Sequence, residues 1–147
     1  MIIETICSRR VKLLVNALVR DKERKSLLVV QYGLKPYWIL PGGQPEKMIS
    51  PEYFEEFVQY KVMRDIHGLE LEIPREPKDW KNPFVTTSPR GEEIQDFIYL
   101  FNARQGGQVN NGRGVYDLQW ITESDRVPLS PLTQRIIRHY RNLGAIF

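Results

Sequence analysis

Two apolar runs lie close together near the start of the chain: VKLLVNALVR, Val11 to Arg20, and SLLVVQYG, Ser26 to Gly33, parted by the polar stretch DKERK. Runs this rich in β-branched and aliphatic residues, separated by a short polar link, predict two strands joined as a hairpin. The chain is therefore expected to build around a sheet.

The chain beyond Gly33 alternates in the same way. YWIL ends at PGG, where a proline and two glycines stop a strand and predict a turn. Ser50-Pro51-Glu52 has the form of a helix start, with serine as N-cap, proline at the first helical position and acids near the positive end of the dipole. This helix is expected to run to about His67, with Gly68 as its left-handed stop. Beyond it, LELEI (Leu69 to Ile73), FVTTS, DFIYLFNAR (Asp96 to Arg104) and YDLQWI (Tyr116 to Ile121) predict strands, with PREPKDWKNP and QGGQVNNGRG as loops. SPLTQRIIRHYRNLG repeats the Ser-Pro signal and ends at Gly144, a second helix. Strands, helix, strands, helix with short links give an α+β sandwich.

The 147 residues, 41% of them hydrophobic, suit a single domain over residues 1–147 with its own core. No repeat or low-complexity tract interrupts them. No run approaches the roughly 18 apolar residues of a membrane span, and MIIETICSRR reverses the charge order of a secretory signal, so a soluble, cytoplasmic protein without a membrane partner is expected. A single cysteine, Cys7, with His67 and His139 as the two histidines, cannot assemble a Cys/His zinc site. The net charge of +3 mildly favours anionic partners.

The stretch from WILPGG to a helix ending in Gly-hydrophobic, the strands on either side, and a late Trp120 followed by a helix resemble the Nudix family over most of the chain. The resemblance implies a Nudix-like α/β/α sandwich with a mixed central β-sheet. It also implies a box reading glycine, a later glutamate, then Arg-Glu-hydrophobic-any-Glu-Glu-any-Gly-hydrophobic. The box glutamates hold divalent cations that bridge a diphosphate. Carboxylates three and four residues apart share one helical face, where they can hold Mg²⁺ or Mn²⁺, and the metals activate a water for attack on phosphorus.

This chain keeps the frame and lacks most of the ligands. Counted forward from Gly43, the family's carboxylates fall on Ile49, Val58, Lys61 and Val62. Counted backward from Gly68, the arginine falls on Lys61, its adjacent glutamate on Val62, and the glutamate pair on Asp65 and Ile66. The two registers differ because Gly43 and Gly68 stand about one helical turn further apart than in the family. The backward register is preferred, since VMRDIHGL keeps the hydrophobic, acidic and glycine positions in family order.

On that register Asp65 and Lys61 are the candidate catalytic residues. Gly42, Gly43, Glu46 and Tyr99 are candidates for holding phosphate or another part of a ligand, and Asp65 with Glu46 for a metal. Each has a plainer alternative: Asp65 and Lys61 as an i, i+4 ion pair, Glu46 as a turn acid, Tyr99 as sheet packing. Glu52, Glu55 and Glu56 have metal-like spacing, but stand where a helix start wants acids anyway. Glu92, Glu93, Asp96 and Asp117 are acids outside the box that a loop could bring to the site, and strand aromatics such as Tyr32, Tyr37, Phe101 and Tyr116 could stack on a base. Arg135, Arg138, His139 and Arg141 give the last helix a basic face, suited to RNA or to an acidic protein, or simply to water.

The expectation is a Nudix-fold protein with a degenerate box that binds a nucleotide, another phosphorylated ligand or a partner, with little or no standard hydrolase activity. The alternative is a divergent pyrophosphohydrolase for a nucleoside diphosphate linked to another group, using Mg²⁺ or Mn²⁺ on Asp65 and acids from outside the box.

Overall fold

In the computed structural model the described residues are 11–45, 49–74, 83–104, 110–111, 114–115 and 117–147. Val11–Asp21 (β1) and Ser26–Gln31 (β2) pair antiparallel through Arg20↔Leu27 and Asp21↔Ser26. Asp21 Oδ1 closes the turn between them by accepting from the backbone N–H groups of Glu23 and Arg24, at 3.2 and 3.3 Å.

β1 is the centre of the sheet. One edge runs parallel to Glu93–Ala103 (β7), from Val11↔Glu93 to Arg20↔Asn102. The other edge is divided between β2 at its end and Gly42–Gly43 (β3) at Val15 and Asn16. β2 continues antiparallel to Asp117–Ile121 (β9). The far edge of β7 takes Phe84–Thr87 (β6) along its first half and Leu71–Glu72 (β5) at its end. The order β5-β7-β1-β2-β9 thus mixes parallel and antiparallel pairs. A separate two-stranded ribbon joins Ile66–His67 (β4) to Asn110–Asn111 (β8).

Parallel strands need both faces covered, and the β1 sequence meets that demand: Val15, Ala17, Leu18 and Val19 are consecutive or alternate, yet all fully buried. Phe54–Asp65 (α1) covers one face, packing Phe54, Val58 and Val62 on Val15, Ala17, Val19, Leu28, Val30 and Phe101. Pro131–Asn142 (α2) covers the other, setting Ile136, Ile137 and Tyr140 against Leu18, Leu27, Val29, Ile98 and Leu100. This is the α/β/α sandwich with a mixed central sheet that the sequence led us to expect. Among the described residues no helix is long and apolar enough to cross a membrane.

Several element boundaries differ from the sequence expectation, some of them through pairing with strands far away in the chain. The two glycines of PGG form a strand pair with β1, whereas YWIL before them makes isolated bridges, Val30↔Ile39 and Trp38↔Leu129. The first helix opens as a 3₁₀ turn, Pro51–Tyr53, and Ser50 makes no side-chain cap. It ends at Asp65 and not at His67, because Ile66 and His67 extend to pair with β8; Gly68 then takes the expected left-handed angle, φ +83°. LELEI contracts to Leu71–Glu72. DFIYLFNAR extends backward to Glu93, since β1 and β6 both supply hydrogen-bonding partners to its polar start. Most of PREPKDWKNP and Tyr116 lie outside the described residues. The second helix forms where expected, and Ser130 Oγ accepts from the Thr133 N–H at 3.2 Å.

Candidate functional site

The buried positions of α1 are Phe54, Val58, Val62 and Asp65, a stripe with helical spacing. Val62 and, just past the helix end, Ile66 are 0% exposed and belong to the core beneath α1. These are two of the positions where the register from Gly68 would put carboxylates. Hydrocarbon occupies both, so the helical face that would carry acids is part of the apolar core.

Asp65 is the acid that remains, 3% exposed. A buried carboxylate must be paired, and this one has three partners. Lys61 Nζ donates to Oδ2 at 2.5 Å, one turn back along the helix. The Tyr32 hydroxyl donates to the same oxygen at 3.3 Å, and Arg64 reaches Oδ1 at 3.4 Å, a long contact on a half-exposed side chain. Tyr32 in turn accepts from the Gly42 N–H at 3.1 Å. Burial pushes the Tyr32 hydroxyl above its ordinary pKa; the Gly42 N–H opposes this and the Asp65 charge adds to it, so Tyr32 stays a neutral donor.

Lys61 threads between these groups. Its ammonium stands 4.8 Å from the centre of the Tyr32 ring, a cation–π distance. Its stem lies on Gly43, where a Cβ would come within 3.2 Å of Lys61 Cε. Gly42, at φ +141°, is tighter still: a Cβ there would meet the Val15 carbonyl oxygen at 2.3 Å. The structure therefore brings together Gly42, Gly43, Lys61 and Asp65, with Tyr32 as the joint between the glycine pair and the helix.

The resemblance implies divalent cations, and the donor set here does not fit them. Val62 and Ile66 offer no lone pairs, and the oxygens of Asp65 already accept from Lys61, Tyr32 and Arg64. A divalent ion about 4 Å from the Lys61 ammonium would meet roughly 8 kcal/mol of repulsion at an effective dielectric of about 20. Among the described residues no three His, Cys, Asp or Glu side chains are grouped to hold a metal.

The other candidates are scattered. Glu46 lies outside the described residues. Tyr99 is half-buried on the α1 face of the sheet; burial raises its pKa, and the charge of Glu55, in the first turn of the helix, adds to the shift. Glu52 is exposed in the 3₁₀ turn, and Phe101 is core. Glu93 accepts from Gln95, and Asp117 Oδ1 accepts from the Leu118 N–H at 2.8 Å on an exposed side chain. Arg135, Arg138 and Arg141 are exposed on α2, which carries no acid in its first turn, while His139 stacks edge-on to Phe84 and Tyr140. A shallow cleft bounded by Arg24, Lys25, Thr122, Glu123, Ser124 and Phe147 involves none of the candidates.

Asp96 has a different role from the one the sequence offered. It is 1% exposed and accepts from Asn16 Nδ2 with both oxygens at 2.9 Å. Burial raises its pKa to about 7 against the pull of that hydrogen bond, and its charge helps to raise Tyr140, which burial already lifts, to about 12. It alternates with Phe97 and Tyr99 along β7 and so belongs to the α2 face, away from Asp65. Sequence reasoning placed Tyr32 only among the aromatics suited to stacking. Its position on the α1 face follows from period two, two residues beyond Val30, but its bond to Asp65 joins positions too far apart to be read locally.

Neither a family model nor a curated protein matches the sequence. Solved structures do match the fold. A UDP-X diphosphatase superposes with a TM-score of 0.67 at 17% identity, covering 97% of this chain and 70% of its own. A Nudix hydrolase from Nitrosomonas europaea gives 0.65 at 15%, covering 94% and 93%. A MutT Nudix hydrolase from Burkholderia pseudomallei gives 0.62 at 19%, covering 88% and 97%. At these identities the likeness is one of fold.

Proposed function

The chain has the fold of the Nudix hydrolases, and we propose that it uses that fold to bind a nucleotide or a related phosphorylated molecule, with little or no metal-dependent hydrolysis. The observation that carries this reading is the state of the helix α1: Val62 and Ile66 are core residues, and Asp65 is committed to Lys61. A fold supports many activities, and the chemistry resides in its site. Losing electrostatic contributors worth about 10²–10³ each in rate leaves a hydrolase mechanism without its means of stabilising charge.

The ligand class comes from the neighbours. Proteins of this shape include a UDP-X diphosphatase and an ADP-ribose pyrophosphatase from Streptococcus suis, the latter at 22% identity and a TM-score of 0.56. A nucleoside diphosphate linked to a second group is therefore the first class to try. The Gly42–Gly43 pair, with Gly43 against the Lys61 side chain, is the place we assign to its phosphates.

The test incubates the protein with nucleoside triphosphates, ADP-ribose, dinucleoside polyphosphates and nucleotide sugars, with Mg²⁺ or Mn²⁺ and a chelator control. Calorimetric binding with the ligand recovered intact supports the proposal. Turnover abolished by chelator and by Asp65→Asn would replace it with a rebuilt hydrolytic site.

A further inference from the structure

We propose that the Gly42–Gly43 site takes the phosphates of its ligand on Lys61 and Arg64, without a divalent cation. The inference rests on the phosphate-binding reading and deepens it by naming what supplies the positive charge.

A helix bearing several carboxylates repels a diphosphate until metal ions reverse the sign of its surface. Here the sign is already reversed. Lys61 and Arg64 both contact Asp65, so two cations share one carboxylate and an excess of one positive charge remains. The carboxylate is the buried member of the group, at 4% side-chain exposure, while Lys61 keeps 19% and Arg64 52% of theirs. An approaching anion therefore meets the cations and not the acid.

Geometry places the Lys61 share of this charge on Gly43. A Cβ at Gly43 would lie 3.2 Å from Lys61 Cε and 3.5 Å from Nζ, so the glycine lets the lysine bring its ammonium against the backbone of the pair. Tyr32 holds Gly42 to Asp65, at 3.1 and 3.3 Å, which fixes the pair relative to the helix. Arg64 adds a planar fork of donors suited to phosphate oxygens. The apolar Val62 and Ile66 sit where a metal-dependent site would need oxygen.

Inorganic pyrophosphate is the probe, titrated calorimetrically into the intact chain, first with EDTA and then with excess Mg²⁺. The expected result is binding in EDTA, weakened about tenfold by Arg64→Gln, as loss of one charged hydrogen bond predicts. Lys61→Met should weaken it further; should that variant fail to fold, the exposed Arg64 carries the test. Arg135→Gln on α2 should leave affinity unchanged, and an equal loss there would overturn the inference in favour of diffuse attraction. Binding that requires Mg²⁺, or that ignores Arg64→Gln, also overturns it while sparing the ligand reading. No pyrophosphate binding in either medium overturns it too, and silence with ADP-ribose and nucleotide sugars as well removes the ligand reading beneath it.

Discussion

Lys61 Nζ lies 2.5 Å from Asp65 Oδ2, one helical turn away, and of the two side chains the carboxylate is the one sealed from water, at 4% exposure against 19%. The pair is asymmetric, and its two halves will not respond alike to mutation. Removing the lysine leaves a buried carboxylate with a neutral hydroxyl and the half-exposed Arg64 guanidinium at 3.4 Å. Removing the carboxylate leaves a lysine able to turn into solvent.

Lys61→Met is accordingly expected to cost about 3 kcal/mol, the order seen when one member of a buried pair is deleted, and Asp65→Asn distinctly less. Urea denaturation of the two variants checks this. Equal losses would mean that the pair is effectively a surface contact.

The core position of Val62 makes a second prediction. Val62→Glu, which restores a carboxylate where the family pattern has one, should destabilise the fold by several kcal/mol, because the new charge enters an apolar cluster at a fully buried position. A Val62→Glu variant of unchanged melting temperature would show instead that α1 can rotate this residue to the surface.

Asp96 predicts a pH dependence. Its folded pKa of about 7 stands above the ordinary carboxylate value of 3.8, so between those values the folded state holds a proton that the unfolded chain has lost. Stability should fall as pH rises from about 4 to about 7 and level off above, a change on the order of 4 kcal/mol at about 1.4 kcal/mol per unit. Asp96→Asn keeps an acceptor for Asn16 Nδ2 and removes the titration. It should flatten that part of the curve and exceed the parent protein's stability at pH 8, as measured by melting temperature across pH.

The two Ser-Pro helix starts look alike in sequence and differ in structure. Ser130 Oγ accepts from the Thr133 N–H, whereas Ser50 makes no side-chain cap and leads into a 3₁₀ turn. Ser130→Ala should cost about 1 kcal/mol and Ser50→Ala little; comparable losses from both would contradict the difference.

That contrast shows what the sequence could tell. Composition and period located the β1–β2 hairpin, both helices and the left-handed Gly68, since these depend on neighbours in the chain. They could not show that Gly42 and Gly43 pair with Asn16 and Val15, or that the polar Glu93–Gln95 segment is strand, because each depends on elements far away; nor did they separate the unused cap of Ser50 from the used one of Ser130. In the site, the backward register led to Lys61 and Asp65. Tyr32 and the Asn16–Asp96 pair stayed hidden because their bonds span 33 and 80 positions. An aspartate at the start of a strand is indistinguishable from a surface acid until its partner is known.

The most direct test of the central claim is a titration of the protein with Mn²⁺, following the free ion by electron paramagnetic resonance, with and without ADP-ribose. The protein should leave Mn²⁺ free up to millimolar concentrations on its own, and should take up no more in the presence of ADP-ribose than the ligand itself binds. Stoichiometric uptake of Mn²⁺ by the protein, lost in Asp65→Asn, would contradict the account and restore a metal site to α1.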